Sequence, residues 1–315
     1  MRESVKLWGE WEENLPYPIH FRQGGYLWLL RSREEVEQYR EYVRFQNLFG
    51  VQSKIISIED AREIVPELSL NGIEGASYCP TDGNAYPQDV LIGLEKAVRQ
   101  MGIQIRTYEG VEDIRVRNNS VEEVITNKET YSAGVLFNAS GNSAKTIAKM
   151  VGIDLPLENF RHQIAVSEPL EVFLSPMVVK GELYFTQTYR GRIIGGTDIG
   201  GGPTESLSSD LPFLEAYARE IVDTMPILSS VKIMRQWAGF YVVSPDRHPI
   251  LGPTDISNFI VACGYSGHGF MLGPIVGKLI ASYIINGTFF LPEANNLTLE
   301  RFASGKLIRE KAVIG

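Results

Sequence analysis

Residues 259–274 read FIVACGYSGHGFMLGP, an apolar run that breaks into glycines at 264, 267, 269 and 273 and continues as an apolar helix. A strand that runs straight into such a turn leaves backbone N–H groups free at the positive end of a helix dipole. Glycine also removes the Cβ that would hold a ligand away from the backbone. A chain with this feature needs a sheet with a helix packed behind one of its strands, which places it in the α/β or α+β class. A plain strand-to-helix connection with no ligand has the same local pattern, so the rest of the chain has to decide between them.

Two chemistries share this spacing. A dinucleotide fingerprint requires a further strand ending in an acidic residue roughly 20 residues on. Here the helix is followed by NGTFFLP at 286–292, so that unit is missing. A hydrolase nucleophile elbow, Gly-x-Ser-x-Gly, would centre on Ser266, but its fifth position is His268. That fold also needs an Asp and a His after the serine, and His268 is the only later histidine. A metal centre is excluded on spacing, because His20, His162, His248 and His268 share no ligand pattern.

Charge narrows the partners. Thirty Lys and Arg against 38 Asp and Glu give a net charge of -8, which disfavours nucleic acid. Cys79 and Cys263 are the only cysteines and fit a reducing compartment. The most apolar helical stretch, 273–285, carries Lys278 and is too short to span a bilayer. The N-terminus has no apolar signal-peptide core, so a cytoplasmic location is expected.

The pattern predicts helices over 1–13, 32–49, a short one after Ser57, 88–101, 143–151, 211–225 and 274–285. Ser32 and Glu35 form a capping-box signature, and Gly102 stands where a helix C′ residue belongs. Strands are predicted over 24–30, 103–107, 111–116, 121–126, 135–138, 164–167, 183–188, 192–196, 232–243 and 259–263. No repeat or low-complexity linker occurs, so any domains share the chain discontinuously.

Six stretches in this order resemble one family. They are CPTDGNAYP at 79–87 with its following helix, YEGVED at 108–113, VLFNASG at 135–141, HQIAVSEP at 162–169, IGGTD at 194–198 and the loop 264–274. Together they resemble the flavoprotein amine oxidoreductases that include D-amino-acid oxidase, glycine oxidase and sarcosine oxidase, and within them the sarcosine oxidase β subunit and archaeal dye-linked L-proline dehydrogenase. The resemblance implies an FAD-linked oxidoreductase fold with a discontinuous flavin-binding half and a large antiparallel sheet over the flavin. It assigns residues 1–21 to a remnant helix, 22–78 and 159–246 to the substrate half, and 79–158 and 247–315 to the flavin half. Cofactor-binding positions carried over are Val111, Asn138, Ala139, Ser140, Gly141, Gly264, Gly267, His268, Gly269, Phe270 and Met271. Tyr241 and His268 are the implied catalytic positions. Gly269 is expected to need its missing side chain and a positive φ. The implied reaction is hydride transfer from a small secondary amine or imino acid, such as proline or sarcosine, to the flavin.

Departures from the family qualify this. No Gly-x-Gly-x-x-Gly occurs in the chain, and roughly 60 residues of the family's opening βαβ unit and its loops are missing. A truncated chain that holds FAD weakly or not at all is therefore expected. The family's substrate-binding Lys corresponds to Met271, its flavin-linking Cys to about Gly239 and its oxygen-activating Lys to about Ile194. These changes imply noncovalent FAD and a dehydrogenase that passes electrons to a partner subunit or acceptor. The alternative is a noncatalytic remnant or a partner subunit without flavin.

Overall fold

A computed structural model describes residues 1–308 of the chain, so residues 309–315 of the expected flavin half lie outside the described residues. Helix α1 (Arg2–Asn14) precedes strand β1 (Tyr26–Leu30), helix α2 (Arg33–Leu48), β2 (Lys54–Ile56), α3 (Ile58–Ile64) and β3 (Gly75–Cys79). Helix α4 (Pro87–Gln100) leads into β4 (Val111–Arg117), β5 (Ser120–Thr126), β6 (Thr130–Ser132), β7 (Leu136–Asn138) and α5 (Ala144–Met150). Four strands follow: β8 (Glu158–Pro169), β9 (Met177–Lys180), β10 (Leu183–Gln187) and β11 (Arg192–Gly196). Then come α6 (Leu211–Thr224), β12 (Ile233–Val243), β13 (Ile250–Pro253), β14 (Phe259–Cys263), α7 (Gly269–Asn286) and α8 (Glu300–Ala303).

Local signals explain most of these boundaries. Ser32 accepts from the Glu35 amide as a cap should, but the Glu35 carboxylate reaches the Arg31 amide instead of closing the box on Ser32. The reciprocal box forms one helix later, between Ser57 and Asp60. Segment 103–107 forms no strand: Ile103 is exposed, and alternation without a neighbouring strand to pair leaves the backbone irregular. Helix α7 begins at Gly269, before the predicted start at Pro274, because Pro274 gives up only one N–H in an early turn. At 18 residues it is long and apolar enough by length and composition to cross a membrane, contrary to the sequence expectation. Its Ile275, Val276, Leu279 and Ile280 face the protein core, as in a helix that packs on a sheet.

The largest sheet has eight strands in the order β12-β8-β11-β10-β9-β1-β3-β2. All junctions are antiparallel except β1–β9, where Tyr26 pairs with Met177. Strict alternation divides its side chains between two faces. Leu27, Leu29, Phe185 and Ile193 pack on Ala61 of α3 and on Phe213, Tyr217 and Ile221 of α6. The ladder registers put Tyr26, Tyr184, Ile194, His162 and Tyr241 together on the opposite face.

A second sheet, β13-β14-β7, has β14 and β7 parallel. All five residues of β14 are buried, which is why it reads as an unbroken apolar run. Phe259, Val261 and Cys263 face the core with Ala144 and Ala148 of α5, while Ile260 and Ala262 face α7. Each large apolar side chain buried this way contributes roughly 1.5–3 kcal/mol. A small sheet, β4-β5-β6, packs Ile114, Val121 and Val124 against the α5 side of this core.

Candidate functional site

The glycine-rich turn is fastened to the end of β12. The Ser266 amide donates to the Val242 carbonyl at 2.9 Å, and Val243 bridges Tyr265. Gly264 and Gly267 have φ of 68° and 94°, and Ser266 between them has φ of 50°. A Cβ on Gly264 would lie 2.7 Å from Leu157, and one on Gly267 would lie 2.7 Å from the Tyr241 ring. These two glycines are therefore required by the backbone and by close approach. Gly269 is different from what the sequence led us to expect. Its φ is ordinary, and a Cβ there would meet Tyr265 at 3.4 Å. Ser266 is 2% exposed and its hydroxyl donates to the Gly264 carbonyl, so no nucleophile is displayed.

Beside this turn, a cavity of about 370 Å³ opens on the aromatic face of the large sheet. Arg161, His162, Asp198, Tyr241, Arg247 and Ser266 are among its lining residues. The His162 ring stacks on Tyr241 with centroids 3.7 Å apart and planes at 23°. Burial lowers the His162 pKa, and the Asp198 carboxylate opposes part of that shift. Burial raises the Tyr241 pKa, Asp198 adds to the rise, and the Tyr184 hydroxyl works against it. At neutral pH the cavity thus presents a neutral imidazole and a protonated phenol. Arg161 is paired to Asp210 at 2.7 Å.

Arg247 sits at φ 59° in a turn that a buried ion pair holds in place. The Arg301 guanidinium meets both Asp246 oxygens at 2.8 and 2.9 Å, with the side chains 3% and 1% exposed. Its remaining N–H groups reach the Leu297, Thr298 and His248 carbonyls. Burial alone would push the Asp246 carboxyl up, but the Arg301 hydrogen bonds and the Ile308 and His248 amides hold its pKa at about 2.

The remaining sequence-derived positions fall in three places. Asn138 ends β7 beside Val261 of β14, so the loops after these parallel strands are neighbours. Its side chain is buried: it donates to the Ala144 carbonyl and accepts from the Ser140 amide and hydroxyl, holding Ala139, Ser140 and Gly141 at the surface. His268 caps α7 without a side-chain cap bond, and it is not among the residues lining the cavity. Phe270 and Met271 remain 46% and 38% exposed in the first turn of α7. Trp8 packs on Phe270 and, with Ser4, donates to the Met271 carbonyl, which fastens α1 to this helix start. Val111 starts β4 and packs against the α5 core, and it is not among the residues lining the cavity. His162, Asp198 and Arg247 were missed as site residues, because only the sheet register and a positive-φ turn bring them to Tyr241.

The geometry fits a flavin at the α7 start. The ends of two parallel strands converge there, the helix start lacks a side-chain cap, and a Cβ on Gly141 would meet nothing within 4 Å. Comparison with known proteins shows the family. A family model described as DAO, FAD dependent oxidoreductase, matches residues 1–283. The chain is similar to sarcosine oxidase subunit beta of Rhodobacter capsulatus, 29% identical over 311 residues, covering 96% of this chain and 74% of the relative. Among solved structures it is similar to L-proline dehydrogenase from P. horikoshii, with a TM-score of 0.93 and 35% identity over 98% of this chain and 83% of that one. Glycine oxidase from Bacillus cereus shares the fold at a TM-score of 0.82 and 21% identity, covering 93% of this chain and 83% of that one.

Proposed function

Because the chain belongs to the FAD dependent oxidoreductase (DAO) family, we propose that it oxidises the C–N bond of a small secondary amino acid such as proline or sarcosine. The observation that carries this reading is the polar cavity of Tyr241, His162, Asp198 and Arg247 set directly against the glycine-rich start of α7. FAD bound there would supply the hydride acceptor. The backbone of 264–269 and the surface loop 138–141 are the residues that would hold it. The Arg247 guanidinium suits a substrate carboxylate, and the Tyr241 hydroxyl suits a second hydrogen bond to it. Holding the reacting carbon in place is the main task of the protein in such a reaction.

Two substitutions refine the proposal. Gly239 offers no thiol for a covalent flavin link, so FAD is held noncovalently. Ile194 stands on the cavity face of β11 where the resemblance places an oxygen-activating lysine, which favours electron transfer to a partner over reaction with oxygen. The likeness to a protein named as a subunit supports work within a multi-subunit assembly. We assign 22–78 and 159–246 to the substrate half, and 79–158 with the described part of 247–315 to the flavin half.

Anaerobic proline or sarcosine should bleach the ~450 nm band of flavin added to the protein, a property of the cofactor itself. With an artificial dye turnover should continue, and with oxygen alone it should be slow. A protein that leaves the spectrum of added FAD unchanged would instead be a noncatalytic subunit. Tyr241→Phe is expected to retain flavin and to lower kcat/KM about threefold to tenfold, the effect of one lost hydrogen bond of about 0.5–1.5 kcal/mol.

A further inference from the structure

His162 has a place in the cavity that packing alone does not explain. It sits on β8 opposite Gly239 of β12, and a Cβ at 239 would meet nothing within 4 Å, so the imidazole has open space on that side. One ring face is covered by Tyr241 at 3.7 Å. Among the described residues neither ring nitrogen makes a hydrogen bond, although the side chain lines the cavity. A half-buried imidazole with a fixed plane and unengaged nitrogens is suited to a hydrogen-bonding or proton-accepting role toward a ligand.

The proposed reaction has a use for such a group. An alkyl amine titrates near ~10, so a secondary amino acid reaches the cavity as an ammonium ion with no lone pair to assist hydride departure. We propose that His162 takes the proton from the substrate nitrogen. One N–H bond of the ammonium breaks, its electron pair stays on nitrogen as the lone pair, and the proton binds a ring nitrogen of His162. No electrons leave the substrate in this step, so no oxidant is required. The step rests on the amine-oxidation reading above.

The groups facing His162 fit this assignment. Tyr241 from β12 holds the ring plane, and Asp198, from the loop after β11, supplies the negative charge an imidazolium needs. Arg247 from the turn before β13 and Arg161 from β8, the latter paired with Asp210, are the cations lining the same cavity. Burial keeps the free imidazole neutral and ready to accept.

His162→Phe preserves a flat ring against Tyr241 and removes the base. With added FAD and dye, kcat/KM for proline should fall about a hundredfold at pH 7, the usual scale for one general base. The loss should shrink toward pH 10, where the amine carries its own lone pair. Wild-type activity at pH 7, or a deficit of equal size at every pH, would overturn the proposal. A direct readout needs no turnover. The full chain has four histidines, so ring NMR signals are few and His162→Gln assigns one of them. Saturating proline at pH 7 should shift the His162 ring-nitrogen signals, because the neutral imidazole accepts a hydrogen bond from the substrate ammonium. Tetrahydrofuran-2-carboxylate, which has an ether oxygen in place of the amine and no N–H to donate, should leave them in place. His162 signals that stay in place while proline shifts other cavity resonances would refute the base and spare the amine reading. Proline that neither shifts a resonance nor is turned over would refute both.

Discussion

Gly267→Val is expected to abolish flavin binding and to destabilise the chain, while Gly269→Ala leaves both nearly intact. At 267 a side chain meets two obstacles at once: φ of 94° is closed to a β-branched residue, and its Cβ would lie 2.7 Å from the Tyr241 ring. Backbone strain of this kind alone costs roughly 1–3 kcal/mol. Displacing Tyr241 also unstacks His162 and disturbs the turn that presents the α7 start. At 269 the backbone is ordinary and the nearest atom is 3.4 Å away, so alanine fits. Thermal denaturation and FAD titration by fluorescence quenching read both effects. If Gly267→Val melts and binds like the parent protein, the turn is only a connector and the flavin position is wrong.

Arg301→Ala should be strongly destabilising, through the turn that carries Arg247 to the cavity. It leaves the Asp246 carboxylate 1% exposed without its partner, and breaking a buried ion pair on one side costs about 3–5 kcal/mol. The same pair predicts acid sensitivity. With the folded pKa held at about 2 against ~3.9 unfolded, the folded state favours the charged carboxylate. The resulting stability, roughly 2 kcal/mol, is complete above pH ~4 and fades as pH falls toward 2. Urea titrations at pH 7, 4 and 2.5 should show the parent weakening across that window. In Arg301→Ala the loss at pH 7 should be the larger effect, and lowering the pH should then relieve it in part by protonating Asp246. Equal stability of the two proteins at pH 7 would show that the clamp contributes nothing.

How much of this was legible in the sequence follows from which interactions are local. Helix caps at Ser32 and Ser57, the C′ glycine at 102 and the unbroken apolar run of β14 are decided by neighbours along the chain, and each was readable. Segment 103–107 alternates like a strand but has nothing to pair with, a fact that only tertiary structure supplies. Strands β2 and β9, three and four residues long, are too short to announce themselves, and β3, with the sequence GASYC, lacks the apolar and β-branched residues that mark a strand; their neighbours in the sheet hold them. For the site, the glycine turn was readable but the reason for each glycine was not. The resemblance pointed to Gly269, whereas the positive φ and close approach belong to Gly264 and Gly267. Tyr241 came from resemblance, while its companions His162, Asp198 and Arg247 come from distant strands and turns that the register alone brings together.

The single parallel junction in the large sheet has a consequence for how the molecule assembles. Strands β1, β3 and β2 lie within the first eighty residues and pair as antiparallel neighbours, so they can form a local unit early. The opposite flank, β9-β10-β11-β8-β12, is likewise built from consecutive or near-consecutive strands. The two flanks pair where Tyr26–Trp28 meet Met177–Val179, across the whole intervening chain that forms the small sheet and part of the second. Closing that seam requires a long loop to be gathered first, and loop-closure entropy makes such contacts slow. During synthesis the N-terminal flank must wait, with an open strand edge at β1, until β9 has left the ribosome.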